Sequence, residues 1–251
     1  MAEEVILETE GLSKEFRGFY AVKDVALRVR RGAIHALIGP NGAGKTTCFN
    51  LLTKFLEPTR GRILYEGRDI TATKPSDIAK MGLVRSFQIS AVFGHLTALE
   101  NVRVALQRGR GESFDFWRSE RVLDRHNARA LELLEAVGIA EFAHTPAGEL
   151  AYGRKRALEI ATTIALDPKL MLLDEPTAGM SPEETRTMMD LIVKLARERT
   201  VILVEHKMKL VLGISDRILV LHHGELLAEG TPQEVRQNEA VKRVYLGQRE
   251  H

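Results

Sequence analysis

The sequence has one cysteine, no long apolar run and no excess of charge of one sign. The single cysteine, Cys48, cannot form a disulfide within the chain, which fits a reducing cytoplasm. We interpret it as a small core residue, with a regulatory thiol as the alternative. No stretch approaches the roughly 18 to 20 apolar residues that span a bilayer, and the acidic start at residues 1–4 does not resemble a signal peptide. Any membrane role is therefore expected to come through a partner.

Charge and composition indicate a globular chain whose main partner is not nucleic acid. The 36 Lys and Arg residues nearly balance 34 Asp and Glu residues, which gives a formal net charge of +2. A surface that binds nucleic acid would need a basic excess. With 251 residues, and 44% of them apolar, the chain is large enough for one core or for a core with an inserted subdomain.

A complete phosphate-binding loop of the form G-x-x-x-x-G-K-T is the first chemical signal. It consists of Gly39, Pro40, Asn41, Gly42, Ala43, Gly44, Lys45, Thr46 and Thr47. An apolar strand candidate at 33–38 precedes it, and a helix candidate at 48–52 follows. In this setting the glycines let backbone N–H groups surround phosphates, Lys45 reaches the β- and γ-phosphates, and the Thr46 hydroxyl faces Mg²⁺. The sequence therefore predicts a nucleoside triphosphate ligand.

Two adjacent carboxylates, Asp174 and Glu175, follow an apolar strand candidate at 170–173. Ligands of open α/β sheets bind beyond the carboxyl ends of the strands. Asp174 therefore suits the outer shell of a magnesium ion. Glu175 is placed to orient and deprotonate a water that attacks the γ-phosphate. We predict a site of triphosphate hydrolysis at this edge of the sheet.

The order of apolar patterns predicts an α/β core interrupted by helices. Strands alternate with helices in the second half of the chain, which predicts a parallel sheet covered on both faces. The predicted strands lie at 4–9, 21–30, 33–38, 62–65, 83–88, 170–173, 201–204 and 217–221, and the predicted helices at about 48–52, 182–198 and 207–213. Helical spacing from about 98 to 166 predicts a helical insertion.

In this order the motifs resemble those of an ATP-binding cassette (ABC) protein, from about residue 7 to residue 247. The resemblance implies an α/β fold: a P-loop NTPase (RecA-like) core with an N-terminal antiparallel β subdomain and an inserted α-helical subdomain. It implies a single nucleotide-binding domain over 1–251, in which 1–88 and 167–251 form the core and 89–166 forms the helical subdomain. ATP and Mg²⁺ are the implied cofactors.

The resemblance also assigns roles to three further residues. Gln88, at the end of a strand candidate, matches the glutamine that contacts magnesium and the attacking water. His206 matches the histidine that contacts the γ-phosphate and holds the catalytic carboxylate in place. Phe16 matches the aromatic residue that stacks on adenine, with Phe19 and Tyr20 as nearby rivals.

The signature motif, which binds the ATP held by the other subunit, departs from the family pattern. Leu-Ser-Gly-Gly-Gln is usual, whereas residues 150–154 read Leu-Ala-Tyr-Gly-Arg. Apolar spacing starts a helix at Gly153, whose free N–H groups suit a phosphate. Ala151 removes a hydroxyl, Tyr152 replaces a glycine and Arg154 replaces the glutamine. We expect this half-site to be weaker by about 1.5 to 3 kcal/mol unless Arg154 compensates.

Several segments are similar to the ATPase subunits of branched-chain amino-acid importers. They are Leu-Glu-Ile-Ala at 158–161, Ala-Gly-Met-Ser-Pro-Glu-Glu at 178–184, Val-Glu-His-Lys-Met at 204–208 and Val-Tyr-Leu-Gly at 244–247. Ser181 stands where the family usually has aspartate, a departure that bears on communication between the two ATP sites. The implied function is ATP binding and hydrolysis that powers an importer of branched-chain or other hydrophobic amino acids.

The resemblance implies several partner chains and a location. A second ABC ATPase subunit would form a heterodimer with this chain, although a homodimer is possible in isolation. Two transmembrane permease subunits would contact the helical block, and an extracytoplasmic binding protein would deliver the substrate. The chain would then lie at the cytoplasmic face of the cell membrane.

Other functions within the family remain alternatives. An exporter of lipid or another cargo, or an importer of urea, amides or aromatic acids, would use the same ATPase motifs. Ribosome-associated and DNA-repair members usually carry two cassettes or long coiled coils, for which 251 residues leave no room. A catalytically silent regulatory module is disfavoured by the intact Lys45, Asp174, Glu175 and His206.

Overall fold

A computed structural model describes residues 4–86, 92–109 and 126–246, which form two β-sheets and nine α-helices. The strands are β1 (Val5–Phe16), β2 (Phe19–Val25), β3 (Arg28–Arg30), β4 (Ile34–Ile38), β5 (Arg60–Tyr65), β6 (Arg68–Asp69), β7 (Leu83–Ser86), β8 (Leu170–Asp174), β9 (Thr200–Val204), β10 (Arg217–His222) and β11 (Glu225–Gly230). The helices are α1 (Lys45–Leu52), α2 (Pro75–Lys80), α3 (Ala98–Gly109), α4 (Asn127–Ala136), α5 (Tyr152–Ile164), α6 (Pro182–Ala196), α7 (Met208–Ile214), α8 (Pro232–Gln237) and α9 (Glu239–Leu246).

The larger sheet has six strands in the order β11-β10-β4-β9-β8-β7. Neighbouring strands pair in parallel, except that β10 and β11 are antiparallel. Strands β4, β8 and β9 are buried at every residue, as expected for parallel strands that are covered on both faces. Because β4, β8 and β9 run in the same direction, the turns that follow them lie side by side at one edge of the sheet.

Successive residues of β4 face two separate hydrophobic cores, since side chains alternate along a strand. Leu37 belongs to one core together with Phe49 of α1 and Tyr65 of the smaller sheet. Ala36 belongs to the other core, which includes Ile192 of α6. The larger sheet therefore separates α1 and the smaller sheet from helices α3 to α6.

The smaller sheet is antiparallel, with the order β2-β1-β5-β6 and with β3 paired to β1. The single strand predicted at 21–30 is wrong. Asp24 has a left-handed φ of 51°, and β2 ends at Val25 before β3 begins at Arg28. Strand β1 is longer than the strand predicted at 4–9, because it continues to Phe16.

Helices α3, α4 and α5 lie between β7 and β8 in the chain and pack against one another. Helix α5 begins at Tyr152, one residue before the predicted start at Gly153. The helices α2, α8 and α9 and the strands β6 and β11 were not predicted from the sequence. The two sheets and the helices between β7 and β8 confirm the predicted α/β fold class, while the division at residues 88 and 166 stays a prediction. Within the described ranges, no helix combines the length and apolar character needed to cross a membrane.

Candidate functional site

The phosphate-binding loop leaves β4 in the middle of the larger sheet and enters α1 at Lys45. Gly44 has a φ of 99°, and a Cβ at this position would overlap the carbonyl oxygen of Ala21 in β2. The sequence therefore needs glycine here for two reasons, backbone conformation and close approach. Helix α1 has no side-chain cap at Gly44, which leaves the amides of its first turn available for an anion.

Lys45 lies inside the loop and is 6% exposed. Its Nζ donates hydrogen bonds to the carbonyl oxygens of Gly39, at 2.7 Å, and Pro40, at 2.9 Å. Burial lowers the pKa of Lys45 from its ordinary value, and the nearby carboxylates of Glu175 and Asp174 oppose this shift. The predicted lysine and both predicted carboxylates are thus close enough to interact electrostatically.

The two carboxylates at the end of β8 differ in their surroundings. Asp174 is 4% exposed, and its Oδ2 accepts a hydrogen bond of 2.5 Å from Arg85 Nη2. Glu175 has a left-handed φ of 47°, which costs a residue with a side chain about 1 to 2 kcal/mol and is typical of functional sites. Its backbone N–H donates a hydrogen bond of 3.0 Å to the carbonyl oxygen of Val204.

His206 follows the neighbouring strand β9 and meets Glu175. Its Nε2 lies 2.6 Å from Glu175 Oε1, and both side chains remain partly exposed. Glu205, just before it, is buried, and its Oε1 accepts hydrogen bonds from the backbone N–H of Thr177 at 3.1 Å and from the Thr177 hydroxyl at 2.5 Å. Glu205 was not predicted from the sequence, although a carboxylate directly after an apolar strand is the signal that indicates Asp174.

The chain also fits a magnesium ion that is shared with a nucleotide. Mg²⁺ in nucleotide sites is usually held by one or two side chains together with phosphates and water. Thr46 is exposed at the start of α1, and Asp174 Oδ1 accepts no hydrogen bond from the described residues. These residues contain no group of three or more His, Cys, Asp and Glu side chains that could hold a metal ion without other ligands.

The three aromatic residues considered for the contact with adenine lie on β1 and β2. Phe16 and Phe19 face each other across the β1–β2 hairpin, and they are 45% and 67% exposed. The Nζ of Lys14 lies 5.3 Å from the centre of the Phe16 ring. The hairpin reaches the loop where Ala21 approaches Gly44. Phe16 therefore stays the predicted contact with adenine, with Phe19 and Tyr20 as rivals. Gln88 lies outside the described residues.

The altered signature motif forms the first turn of α5. Ala151 is the N-cap and offers no side-chain hydrogen bond. Tyr152 lies against Gly179, where an added Cβ would come within 3.2 Å of the tyrosine ring, and its hydroxyl accepts a hydrogen bond of 3.1 Å from Arg156 Nη2. Arg154 stacks its guanidinium on Phe142, 3.9 Å from the ring centre.

Glu184, for which no role was predicted from the sequence, approaches this first turn from α6. It forms a capping box with Ser181, in which the Ser181 N–H donates to Glu184 Oε2 at 2.9 Å and the Glu184 N–H donates to Ser181 Oγ at 3.2 Å. A Cβ at Gly153 would overlap Glu184 Oε1. The N–H and hydroxyl of Ser181 lower the pKa of Glu184, and the Gly153 amide and Arg154 lower it further. The spacing Ser-x-x-Glu was the available signal.

Two family models match the chain. The model described as "ABC transporter" matches residues 22–178. The model described as "Branched-chain amino acid ATP-binding cassette transporter" matches residues 225–251.

Curated relatives match the chain over nearly its whole length. The chain is 45% identical to the high-affinity branched-chain amino acid transport ATP-binding protein BraF of Pseudomonas aeruginosa, over 97% of this chain and 98% of the relative. It is 44% identical to LivG of Escherichia coli K12, which has the same description, over the same shares. It is 36% identical to the lipopolysaccharide export system ATP-binding protein LptB of Acidithiobacillus ferridurans, over 96% of this chain and 97% of the relative.

Solved structures of ATP-binding cassettes share the fold. The ADP conformation of MJ1267, a cassette of an ABC transporter, superposes with a TM-score of 0.83 at 29% identity, covering 97% of this chain and 99% of that one. A dimeric structure of the cassette MJ0796 in a post-hydrolysis state with ADP and Pi gives a TM-score of 0.77 at 25% identity, covering 90% of this chain and 99% of that one.

Proposed function

Because the chain belongs to the ABC transporter family of ATP-binding proteins, and is therefore an ATPase, we propose that its ATP hydrolysis powers an importer of branched-chain or other hydrophobic amino acids. The names of its relatives BraF and LivG support this substrate class. The match of residues 225–251 to a C-terminal model of branched-chain amino acid transporters supports it independently. Lipid export is the second candidate function. It has less support, because the chain is less similar to LptB than to BraF and LivG.

The observation that carries the catalytic part of the proposal is the contact between Glu175 and His206 beside the phosphate loop. Lys45 and the amides of the loop bind the β- and γ-phosphates. Glu175 orients a water and accepts its proton as that water attacks the γ-phosphate, and His206 holds the Glu175 carboxylate in the required position. Mg²⁺, when bound near Thr46 and Asp174, neutralises phosphate charge. Gln88 is proposed to contact the metal and the attacking water.

The proposal includes a composite site made by two subunits. The first turn of α5, at residues 151–154, binds the ATP of a second ABC ATPase subunit, and the partner does the same for this chain. Two permease subunits contact the helices between β7 and β8 and keep the chain at the cytoplasmic face of the membrane. A binding protein outside the cell delivers the amino acid. Binding of two ATP molecules closes the pair, and hydrolysis opens it, which alternates access in the permeases.

Transport by the assembled complex tests the proposal. The chain is co-expressed with candidate permease, second ATPase and binding-protein subunits from its own organism, and the complex is reconstituted in vesicles. We expect ATP-dependent uptake of radiolabelled leucine, and no uptake with the Glu175→Gln variant. Uptake of urea or an aromatic acid in place of leucine, or release of a lipid, would reassign the substrate class.

A further inference from the structure

Arg85 joins three elements at the predicted magnesium site. It lies on β7, and its Nη1 donates a hydrogen bond of 2.5 Å to Asn50 Oδ1 on α1. Its Nη2 donates a hydrogen bond of 2.5 Å to Asp174 Oδ2 at the end of β8. The side chains of Arg85 and Asp174 are 10% and 2% exposed. The guanidinium carbon lies 5.8 Å from the centre of the Phe49 ring, which supports its position.

Both anchors of Arg85 lie beside proposed magnesium ligands. Asn50 is four residues after Thr46 on α1, so the two side chains share one face of the helix. Asp174 is the carboxylate proposed to hold the ion through a bound water. The rigid, planar guanidinium has donors at fixed angles. Arg85 therefore sets the separation between the helix that carries Thr46 and the strand that carries Asp174.

The bond also fixes the direction of the Asp174 carboxylate. Arg85 donates its hydrogen bond to Asp174 Oδ2. Asp174 Oδ1 accepts no hydrogen bond from the described residues. A buried carboxylate without a partner is strongly destabilising, and Arg85 is the cation in the ion pair that Asp174 forms. With Oδ2 held by Arg85, Oδ1 stays available for a water bound to the metal.

We propose that Arg85 is a positioning residue for magnesium, acting through Asp174 and through the α1 face that carries Thr46. This inference rests on the proposed function, because the metal arrives with ATP. Residues that hydrogen-bond a metal ligand typically change metal affinity when they are substituted. Arg85 should accordingly affect the binding of Mg-ATP but not the binding of ATP without metal.

Nucleotide binding with and without metal separates this role from a general effect on folding. Affinity for ATP is measured by calorimetry on the purified chain, first with Mg²⁺ and then with EDTA. We expect Arg85→Gln to weaken Mg-ATP binding by about tenfold or more, while binding in EDTA changes by less than about twofold. Arg217→Gln is the matched control, because its guanidinium also pairs with a carboxylate, Glu229, on the same sheet, and neither affinity should change.

A second variant keeps the test decisive if Arg85→Gln does not fold. Asn50→Ala removes the anchor on α1 and leaves the buried pair of Arg85 and Asp174 intact. It should weaken Mg-ATP binding by about threefold, a smaller loss than that for a complete removal of the positioning residue, with no change in EDTA. Equal losses of ATP affinity with Mg²⁺ and with EDTA, or a gain in Mg-ATP affinity, would overturn the inference. Absence of nucleotide binding by the unmodified chain in either buffer would instead contradict the proposed function.

Discussion

His206 Nε2 lies 2.6 Å from Glu175 Oε1, within hydrogen-bonding distance. The two residues follow neighbouring parallel strands, β8 and β9, so the order of the sheet places them side by side. Glu175 reaches this position with a left-handed backbone. Such a conformation persists only where the surrounding structure maintains it. The surrounding sheet edge therefore maintains the contact between Glu175 and His206.

Substitution of Glu175 or His206 should lower the rate of ATP hydrolysis more than it lowers the affinity for ATP. Glu175→Gln removes the proposed base, and His206→Ala releases the carboxylate, so each should lower the ATPase rate of the assembled transporter by about 100-fold or more. ATP affinity should stay within about threefold of the unmodified value. Glu175→Gln should also accumulate a closed dimer with ATP, detectable by light scattering. Unchanged turnover in the Glu175 variant would remove it from the role of base.

The phosphate loop should not tolerate alanine at Gly44. Its φ of 99° disfavours any side chain, and a Cβ would also overlap the Ala21 carbonyl oxygen. Gly67 is the matched control, because its φ is 74° but nothing lies within 4 Å of an added Cβ. Gly67→Ala should cost about 1 to 2 kcal/mol of unfolding free energy without affecting ATP binding. Gly44→Ala should cost more and should abolish ATP binding. Similar urea midpoints and similar ATP affinities for the two variants would contradict the steric argument.

The sequence predicted the parts of the site that are encoded by consecutive residues. The loop at 39–47 and the carboxylates after 170–173 each follow an apolar strand, and strand ends can be recognised from local patterns. Two of the contacts that were not predicted join distant positions. Arg85 and Asp174 are 89 residues apart, and Thr177 and Glu205 are 28 residues apart. Their proximity depends on strand order, which a local pattern does not encode.

The same distinction explains the errors in secondary structure. The strand predicted at 21–30 is two strands, and the tertiary fold places Asp24, near the division, in a left-handed conformation. Helix α8 carried a local signal that was not used, since Thr231 and Glu234 form a capping box. Strand β11 owes its place to antiparallel pairing with β10, which is a property of the assembled sheet.

Ala151→Ser should strengthen the first turn of α5. Ala151 is an N-cap without a side-chain hydrogen bond, and a serine there typically contributes about 1 kcal/mol to helix stability. The new hydroxyl should also raise the affinity for ATP at this half-site. Ala105→Ser introduces the same change in the interior of α3, away from an N-cap, and should instead cost about 0.5 kcal/mol. Equal unfolding free energies for the two variants, measured in urea, would mean that the nearby Glu184 already caps the turn fully.

Cys48 should not react with thiol reagents while the chain is folded. Its side chain is fully buried on α1, and burial raises the pKa of the thiol to about 12. The reactive thiolate is therefore almost absent at neutral pH. We expect no colour change with Ellman's reagent at pH 8 and one equivalent of reaction in urea. Rapid reaction of the folded chain would restore the alternative of a regulatory thiol.

His35 should make the folded chain less stable as the pH falls from about 6.5 to about 4. The residue is fully buried on β4, and its Nε2 accepts a hydrogen bond from the Arg30 N–H at 2.9 Å, which requires a neutral ring. Burial, followed by the positive charge of Arg217, lowers the pKa of His35 to about 4. The unfolded chain therefore takes up a proton in this range before the folded chain does, and about 3 kcal/mol of unfolding free energy is lost.

Urea unfolding at pH 7.5, 6, 5 and 4.5 measures the contribution of His35 by comparison with variants. His35→Gln retains an acceptor for the Arg30 N–H but does not titrate, so its unfolding free energy should fall less steeply between these pH values. His223→Gln is the control, because His223 is exposed at the β10–β11 turn, and its slope should match that of the unmodified chain. A parallel loss of stability in His35→Gln and in the unmodified chain would mean that the folded chain accepts a proton at His35. That result would contradict the neutral buried ring that the Arg30 contact requires.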